Sequence, residues 1–469
     1  MTSHPPTRPR VQLLLVSTLF GAATLAAALD AGQLPAAERR YLVVANTAVI
    51  PETTPGPDRA PGFERLLTRF DGVLSWNDAI SPFHPAGWSP RPDDAPLWER
   101  YLRLLWGLDT DDVTIVLESI QVNPALALAQ LFPDAPLDVY ADGLMSYGPT
   151  RSKLDPLIGT RVRRLLHLDL VPGMKPLLLT EFGVEAETVP AEAFAKVLAE
   201  LSESCPEPPE APEGAALLLG QYLSALDILS PEEEEQLHVR MLRGAVRRGH
   251  RDVLFKPHPS APARWSRMLE EEAARLDARL TVLDSPVLAE VVYQRLRPAL
   301  VVACFSTALL TARTFHGLPV ARAGTDLLLD RLTPYQNSNR VPVTLVDALL
   351  PDVEDPLWAG VPQGGTGGPN ATHGPAPEDL SDLLAAVGYA MQPQIYPHLR
   401  PAAERYLSTH LTPHTWRYFK RRRLTALALP GGIPSQLAFL PRSPAVRKLA
   451  RRVRAVKRRL TKAKRVTPA

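Results

Sequence analysis

Short, almost unbroken apolar strands alternate with helical segments along this chain, and a run of proline and glutamate interrupts the alternation once. Residues 203–214 read Glu-Ser-Cys-Pro-Glu-Pro-Pro-Glu-Ala-Pro-Glu-Gly, a linker rather than part of a packed layer. Strands that are apolar on both faces belong to parallel sheets covered by helices. Before the linker, strands are expected at Val11–Val16, Tyr41–Asn46, Val113–Glu118 and Leu137–Tyr140, with a short one near Val73. Helices are expected at 22–29, 62–71, 96–106 and 124–132. After it the pattern restarts at Ala215–Gly220 and continues with strands ending at Phe255, Leu283, Cys304 and Arg322. The helix expected over 231–249 opens with Pro231 and four glutamates, as a helix N-terminus favours. The division is therefore an N-terminal α/β domain (1–202), a linker (203–214), a second α/β domain (215–440) and a basic tail (441–469).

Arg8 and Arg10 precede a largely apolar stretch, Val11 to Leu29, which has the outline of a targeting segment. The polar Ser17, Thr18 and Thr24 and the short length favour a first strand, turn and helix instead. Two cysteines, Cys205 and Cys304, lack metal-ligand spacing and do not make a disulfide framework; they fit a reducing cytoplasm. The overall charge of +2 hides an asymmetry: the tail carries twelve Lys or Arg and no acid, which leaves −10 on the other 440 residues.

Two strand ends carry chemistry. The strand Asp252–Phe255 runs into Lys256-Pro257-His258-Pro259, where two prolines stop it and hold His258 at its carboxyl end. Open α/β sheets bind ligands at that edge. The strand Ala299–Cys304 leads to Ser306 and Thr307 at the start of a helix. Hydroxyls and free N–H groups there can hold a phosphate. The same hydroxyls also suit a plain N-cap. Together these ends suggest an enzyme with a phosphate-containing donor. Trp98, Tyr101 and Trp106, at helical spacing, read as core, and His84 and His316 as structural or exposed.

Tyr140-Ala141-Asp142-Gly143, Lys256-Pro257-His258-Pro259 and Phe305-Ser306-Thr307 resemble, in order and spacing, three motifs of bacterial sialyltransferases. The similarity is greatest to the α-2,8-polysialyltransferase family, and Ser17–Gly21 and Gly143–Gly148 share in it. The resemblance spans about residues 11–330. It implies a GT-B-like fold, two Rossmann-like domains facing a central cleft. It also implies transfer of sialic acid or a related nonulosonic acid from a CMP-sugar to a glycan acceptor, with inversion and without a metal or cofactor. Asp142 would be the base and His258 the acid or phosphate ligand. Lys256, Pro259, Ser306, Thr307, Gly220 and Gln221 would line the donor site. The first acid of the family motif is Ala141 here: either Asp142 substitutes as base, or Glu118 at the preceding strand end assists, or the catalysis is altered.

In the tail, Val446, Leu449, Val453, Val456 and Leu460 form one apolar stripe between basic residues. A basic amphipathic helix of this kind suits an anionic membrane surface, reached from the cytoplasmic side. Nucleic acid is not expected, because the body is acidic and the tail lacks stacking aromatics. Two alternatives stay open: a CDP-glycerol or Kdo-type transferase, and a non-catalytic CMP-sugar-binding homologue.

Overall fold

In a computed structural model, residues 8–206, 212–258, 261–262, 264–358 and 377–433 are described. The first sheet has seven parallel strands: β1 (Arg10–Val16), β2 (Arg39–Val44), β3 (Gly72–Ser75), β4 (Asp112–Glu118), β5 (Leu137–Ala141), β6 (Val162–Leu168) and β7 (Glu185–Val189). Their order is β3-β2-β1-β4-β5-β6-β7. The second sheet has five: β8 (Ala216–Leu219), β9 (Asp252–Lys256), β10 (Arg279–Val282), β11 (Leu300–Ala303) and β12 (Val320–Arg322), in the order β10-β9-β8-β11-β12. Neighbouring strands in both sheets pair in parallel throughout. The architecture is the α/β, GT-B-like pair of Rossmann-type sheets that the alternation implies.

Both sheets reverse direction of growth beside their first strand. In the first sheet the reversal falls between β1 and β4, and in the second between β8 and β11. Chains leaving neighbouring strands there turn to opposite faces, which opens a crevice at the carboxyl edge. The physical cause of the central position is burial: β1 and β8 have apolar side chains on both faces, so helices must cover both.

The stretch Val11–Leu29 is divided between β1 and the helix Leu19–Asp30. That helix begins earlier than the expected residue 22, because the Thr18 side chain accepts from Gly21 N at 2.9 Å and caps it. Among the described residues no helix is long and apolar enough to cross a membrane. The helix Pro231–Arg247 starts on a capping box between Ser230 and Glu233.

The helix Ala191–Ser204 packs against the second half of the chain, where Phe194 meets Phe315 with ring centroids 5.6 Å apart. Arg295 reaches back to Ser202 Oγ (3.0 Å) and Cys205 O (3.0 Å). Near the C-terminal end, Tyr396 Oη bonds Thr150 N (3.0 Å) and Glu181 Oε2 (2.6 Å), tying that segment to the first sheet's layer. The loop expected at 360–376 and the basic tail at 441–469, with the helix expected there, lie outside the described residues.

Candidate active site

The acid side of the site is built at the reversal point of the first sheet. Glu118 ends β4, and its register partner across β5 is Tyr140. Ser17 follows β1 and gives Glu118 Oε2 two hydrogen bonds, from its N–H at 2.8 Å and its hydroxyl at 2.6 Å. The Tyr140 hydroxyl donates to Leu15 O (3.1 Å) and lies 3.4 Å from the same carboxylate oxygen. Two residues on, half-buried Asp142 leaves the end of β5. Gly21 brings the helix Leu19–Asp30 up to this pair. A Cβ there would stand 2.8 Å from Tyr140 Oη and 3.3 Å from Asp142 Oδ2.

Burial and the neighbouring Glu118 charge push the Asp142 carboxyl up to about 7, with a smaller push from Glu290. Burial also raises Glu118, against the pull of its Ser17 and Tyr140 donors. Like charges this close do not both ionise freely, so the two carboxyls titrate as a pair. Glu118 holds the donors; Asp142 is the member that keeps its proton to near neutrality.

The donor side is built at the reversal point of the second sheet. Gly220 N donates to Lys256 O at 2.9 Å, and a Cβ on Gly220 would meet the Phe255 ring at 3.1 Å and Pro257 Cα at 3.3 Å. Glycine therefore lets the loop after β8 lie flat on the Lys-Pro-His turn. Gln221 Oε1 accepts from Phe305 N at 3.0 Å, which locks that loop to the turn after β11. Buried Glu234 accepts from Leu223 N (2.7 Å) and Ser224 N (2.8 Å) and fixes the other end of the loop. Tyr222 places its ring 6.1 Å from that of His258.

His258 lies at an exposed position, while partial desolvation and the Lys256 ammonium keep its pKa below the usual imidazole value. Burial lowers Lys256 as well; its Nζ donates to Ser285 O at 2.8 Å. Glu290, buried and holding a 2.6 Å hydrogen bond from Thr311, adds negative charge near both Lys256 and Asp142. An electrostatic chain thus runs from Asp142 through Glu290 and Lys256 to His258.

Ser306 caps the helix Thr307–His316, accepting from Ala308 N at 3.2 Å. Thr307 faces the other domain: its Oγ1 accepts from Leu144 N at 3.4 Å and would lie 3.3 Å from a Cβ on Gly143. The Asp-Gly turn after β5 and the Ser-Thr turn after β11 are therefore in contact. Pro259 lies outside the described residues. Among those described, no group of three or more His, Cys, Asp or Glu side chains is placed to hold a metal ion.

Ser17, the Tyr140 hydroxyl and Glu290 join the candidate site; the sequence reading places the first two in motifs without giving them a role there, and does not single out Glu290. The first two follow from the strand register, which aligns β1, β4 and β5. Glu290 has no local signal, since one acid in a helical run looks like a solvated one.

Two parallel α/β sheets meet near their reversal points, with carboxylates on one side and a Lys-Pro-His turn and hydroxyls on the other. Residues 12–325 match the family described as Alpha-2,8-polysialyltransferase (POLYST). That is more than half of the chain, and the chain belongs to this family. No curated protein matches it by sequence. Among solved structures it is similar to MurG of Acinetobacter baumannii, at 11% identity, TM-score 0.39, over 87% of this chain and 96% of that one. It is also similar to UGT71G1 of Medicago truncatula complexed with UDP-glucose, at 9% identity, TM-score 0.39, over 84% and 98%. Likenesses this distant say nothing of donor or acceptor.

Proposed function

We propose that the protein transfers sialic acid, or a related nonulosonic acid, from a CMP-sugar to a glycan hydroxyl, with inversion at the anomeric carbon. The observation that carries this reading is the contact between Leu144 N and Thr307 Oγ1, which puts the acid-bearing turn beside the hydroxyl-bearing one. Asp142, held near neutrality by burial and Glu118, is poised to take the proton from the acceptor hydroxyl as it attacks. A base tuned this way makes up for alanine at position 141. On the other side of the reacting carbon, His258 donates a hydrogen bond or proton to the departing CMP phosphate. The positive end of the helix Thr307–His316, with the Thr307 N–H and hydroxyl, stabilises the charge that develops there. Gly220 and Gln221 form the floor of the donor pocket, and Lys256 supplies positive charge behind it. The reaction asks nothing of a metal or cofactor in this reading. With it goes a position on the cytoplasmic side, residues 441–469 lying against anionic lipid. Deleting them should release the protein from anionic vesicles and leave activity in solution intact.

The test is calorimetry with CMP, CDP and UDP on wild type and His258→Ala. CMP binding that weakens in the variant supports the reading. Preference for CDP would move it to glycerol phosphate transfer, and no nucleotide binding would remove it.

A further inference from the structure

The helix Ala95–Leu105, between β3 and β4, turns its apolar side outward. Leu97, Tyr101, Leu104 and Leu105 stand at i, i+4, i+7 and i+8 and share one face. That spacing normally marks a core face. Here the four side chains are 70%, 42%, 71% and 51% exposed. Tyr101, expected in the core from its spacing with Trp98, is one of them, and the fully buried residue of the helix is Leu102.

The apolar surface continues beyond the helix as a row of rings. Tyr101 meets Trp98 at 5.6 Å between ring centroids, Trp98 meets Trp88 at 4.8 Å, and Trp88 meets exposed Phe83 at 6.0 Å. Buried Trp76, 6.1 Å from Trp88, roots the row in the core of the first domain. Three leucines and a supported row of rings thus form one exposed surface, unlike the single apolar residues scattered over an ordinary one. Phe83 lies beside the carboxyl ends of β2 and β3, on the edge of the sheet that carries Asp142.

Charge selects what covers it. Of the exposed residues of this helix Arg100 carries the one charge, and it stands between Leu97 and Leu104, in the middle of the face. Half-buried Glu99 is paired with Arg103 at 2.8 Å. Asp93 and Asp94 come before the helix, at its N-terminal end, next to Arg91. A second copy laid on the face by a two-fold axis would bring Arg100 towards its own image, with no carboxylate between them to balance the pair. The basic tail would add more cations. An anionic headgroup balances Arg100, acyl chains take the leucines, and tryptophan and tyrosine suit the boundary between the two. We infer that this face docks on anionic membrane lipid, with the helix Ala95–Leu105 lying in the plane of the interface. The inference rests neither on the transfer reaction nor on the tail.

The experiment uses the full chain and vesicles of phosphatidylcholine, alone or in equal mixture with phosphatidylglycerol, sedimented at low and at high salt. High salt screens the charge of the tail and leaves the apolar contact. Wild type is expected to sediment with the mixed vesicles at high salt, and Leu97→Asn/Leu104→Asn to lower that partition about tenfold or more. Arg100→Glu should weaken binding to the mixed vesicles at low salt and leave binding to phosphatidylcholine alone unchanged. Leu157→Asn, at a similarly exposed leucine on another helix, should change nothing. All variants should melt with wild type, since each replaced side chain is exposed. Wild type left in the supernatant at high salt, or a double variant that sediments as wild type does, would overturn the inference. So would a lipid-free dimer of wild type that the double variant splits, which would give the face to a second copy. Arg100→Glu binding the mixed vesicles like wild type would overturn the commitment to an anionic headgroup.

Discussion

The main-chain N–H of Leu144 donates to Thr307 Oγ1 at 3.4 Å, across the boundary between the two sheets. One side of that bond belongs to the turn carrying Asp142 and the other to the first turn of the helix Thr307–His316. A small hydroxyl thus sets the spacing between the acid and the Ser-Thr turn.

Thr307→Val keeps the shape and removes the acceptor. The hydrogen bond is worth about 1 kcal/mol at most, so stability should change little. Transfer should suffer more, because the spacing of two reacting groups is at stake: kcat/KM is expected to fall about tenfold. Steady-state kinetics beside a thermal melt checks this. A fall in Tm that accounts for the whole loss of activity would assign Thr307 to the fold alone.

Asp142→Asn should cost transfer roughly 10²–10⁴-fold, the usual contribution of a positioned base. It should also stabilise the protein at alkaline pH. The folded carboxyl is raised from 3.8 to about 7, so the native state binds the proton more tightly than the unfolded chain does. Stability from this group is full below about 3.8 and is lost progressively as pH rises from there to about 7. Asparagine removes that loss. At pH 8 the variant should unfold with a free energy higher by on the order of 1 kcal/mol, and this advantage should shrink as pH falls to 5 and below. Urea melts at the two pH values decide it.

Much of the layout is legible in the amino-acid sequence. β1, β4, β8, β9 and β11 are buried on both faces, and continuous apolar runs announce them. β6 and β7 escape that reading, because they carry charge: Arg163 and Arg164 in β6, Glu185 and Glu187 in β7. Their logic is cross-strand. Arg163 pairs with buried Asp138 at 2.7 Å and Arg164 with Glu187 at 3.4 Å, partners no local pattern reveals. The same holds in the site. Asp142, His258 and Thr307 stand in recognisable motifs, whereas the Ser17–Glu118–Tyr140 cluster exists only once the parallel register brings three strand ends together. Ser306 admits two readings from sequence, and its hydroxyl serves the helix cap.

His258 should take up a proton when nucleotide binds. In the free protein its pKa is held down by desolvation and by Lys256, so it is mostly neutral near pH 7. A phosphate beside it favours the imidazolium and reverses the shift. The apparent enthalpy of CMP binding should therefore vary with the ionisation enthalpy of the buffer, and His258→Gln should abolish the part due to this group. Identical buffer dependence in wild type and variant would take the proton-donor role away from His258 and leave it, at most, a neutral hydrogen-bond donor.

Glu118 touches Ser17 and Tyr140, and in the proposed reaction it is a positioning residue that acts through Asp142. Its charge is one of the causes that hold Asp142 near 7, second to burial. Glu118→Gln keeps the shape and the ability to accept from Ser17, and it removes the charge. Asp142 should then ionise more readily, and the acidic limb of the kcat/KM profile should move to lower pH, by about one unit if the charge acts as an ordinary near neighbour. At pH 8, where Asp142 is ionised in both proteins, the rate should fall, since a weaker base removes the acceptor proton less well. At pH 5.5 the variant should lose much less, or overtake wild type. A purely structural role predicts the same loss at every pH, and a profile that drops without moving would return Glu118 to that role.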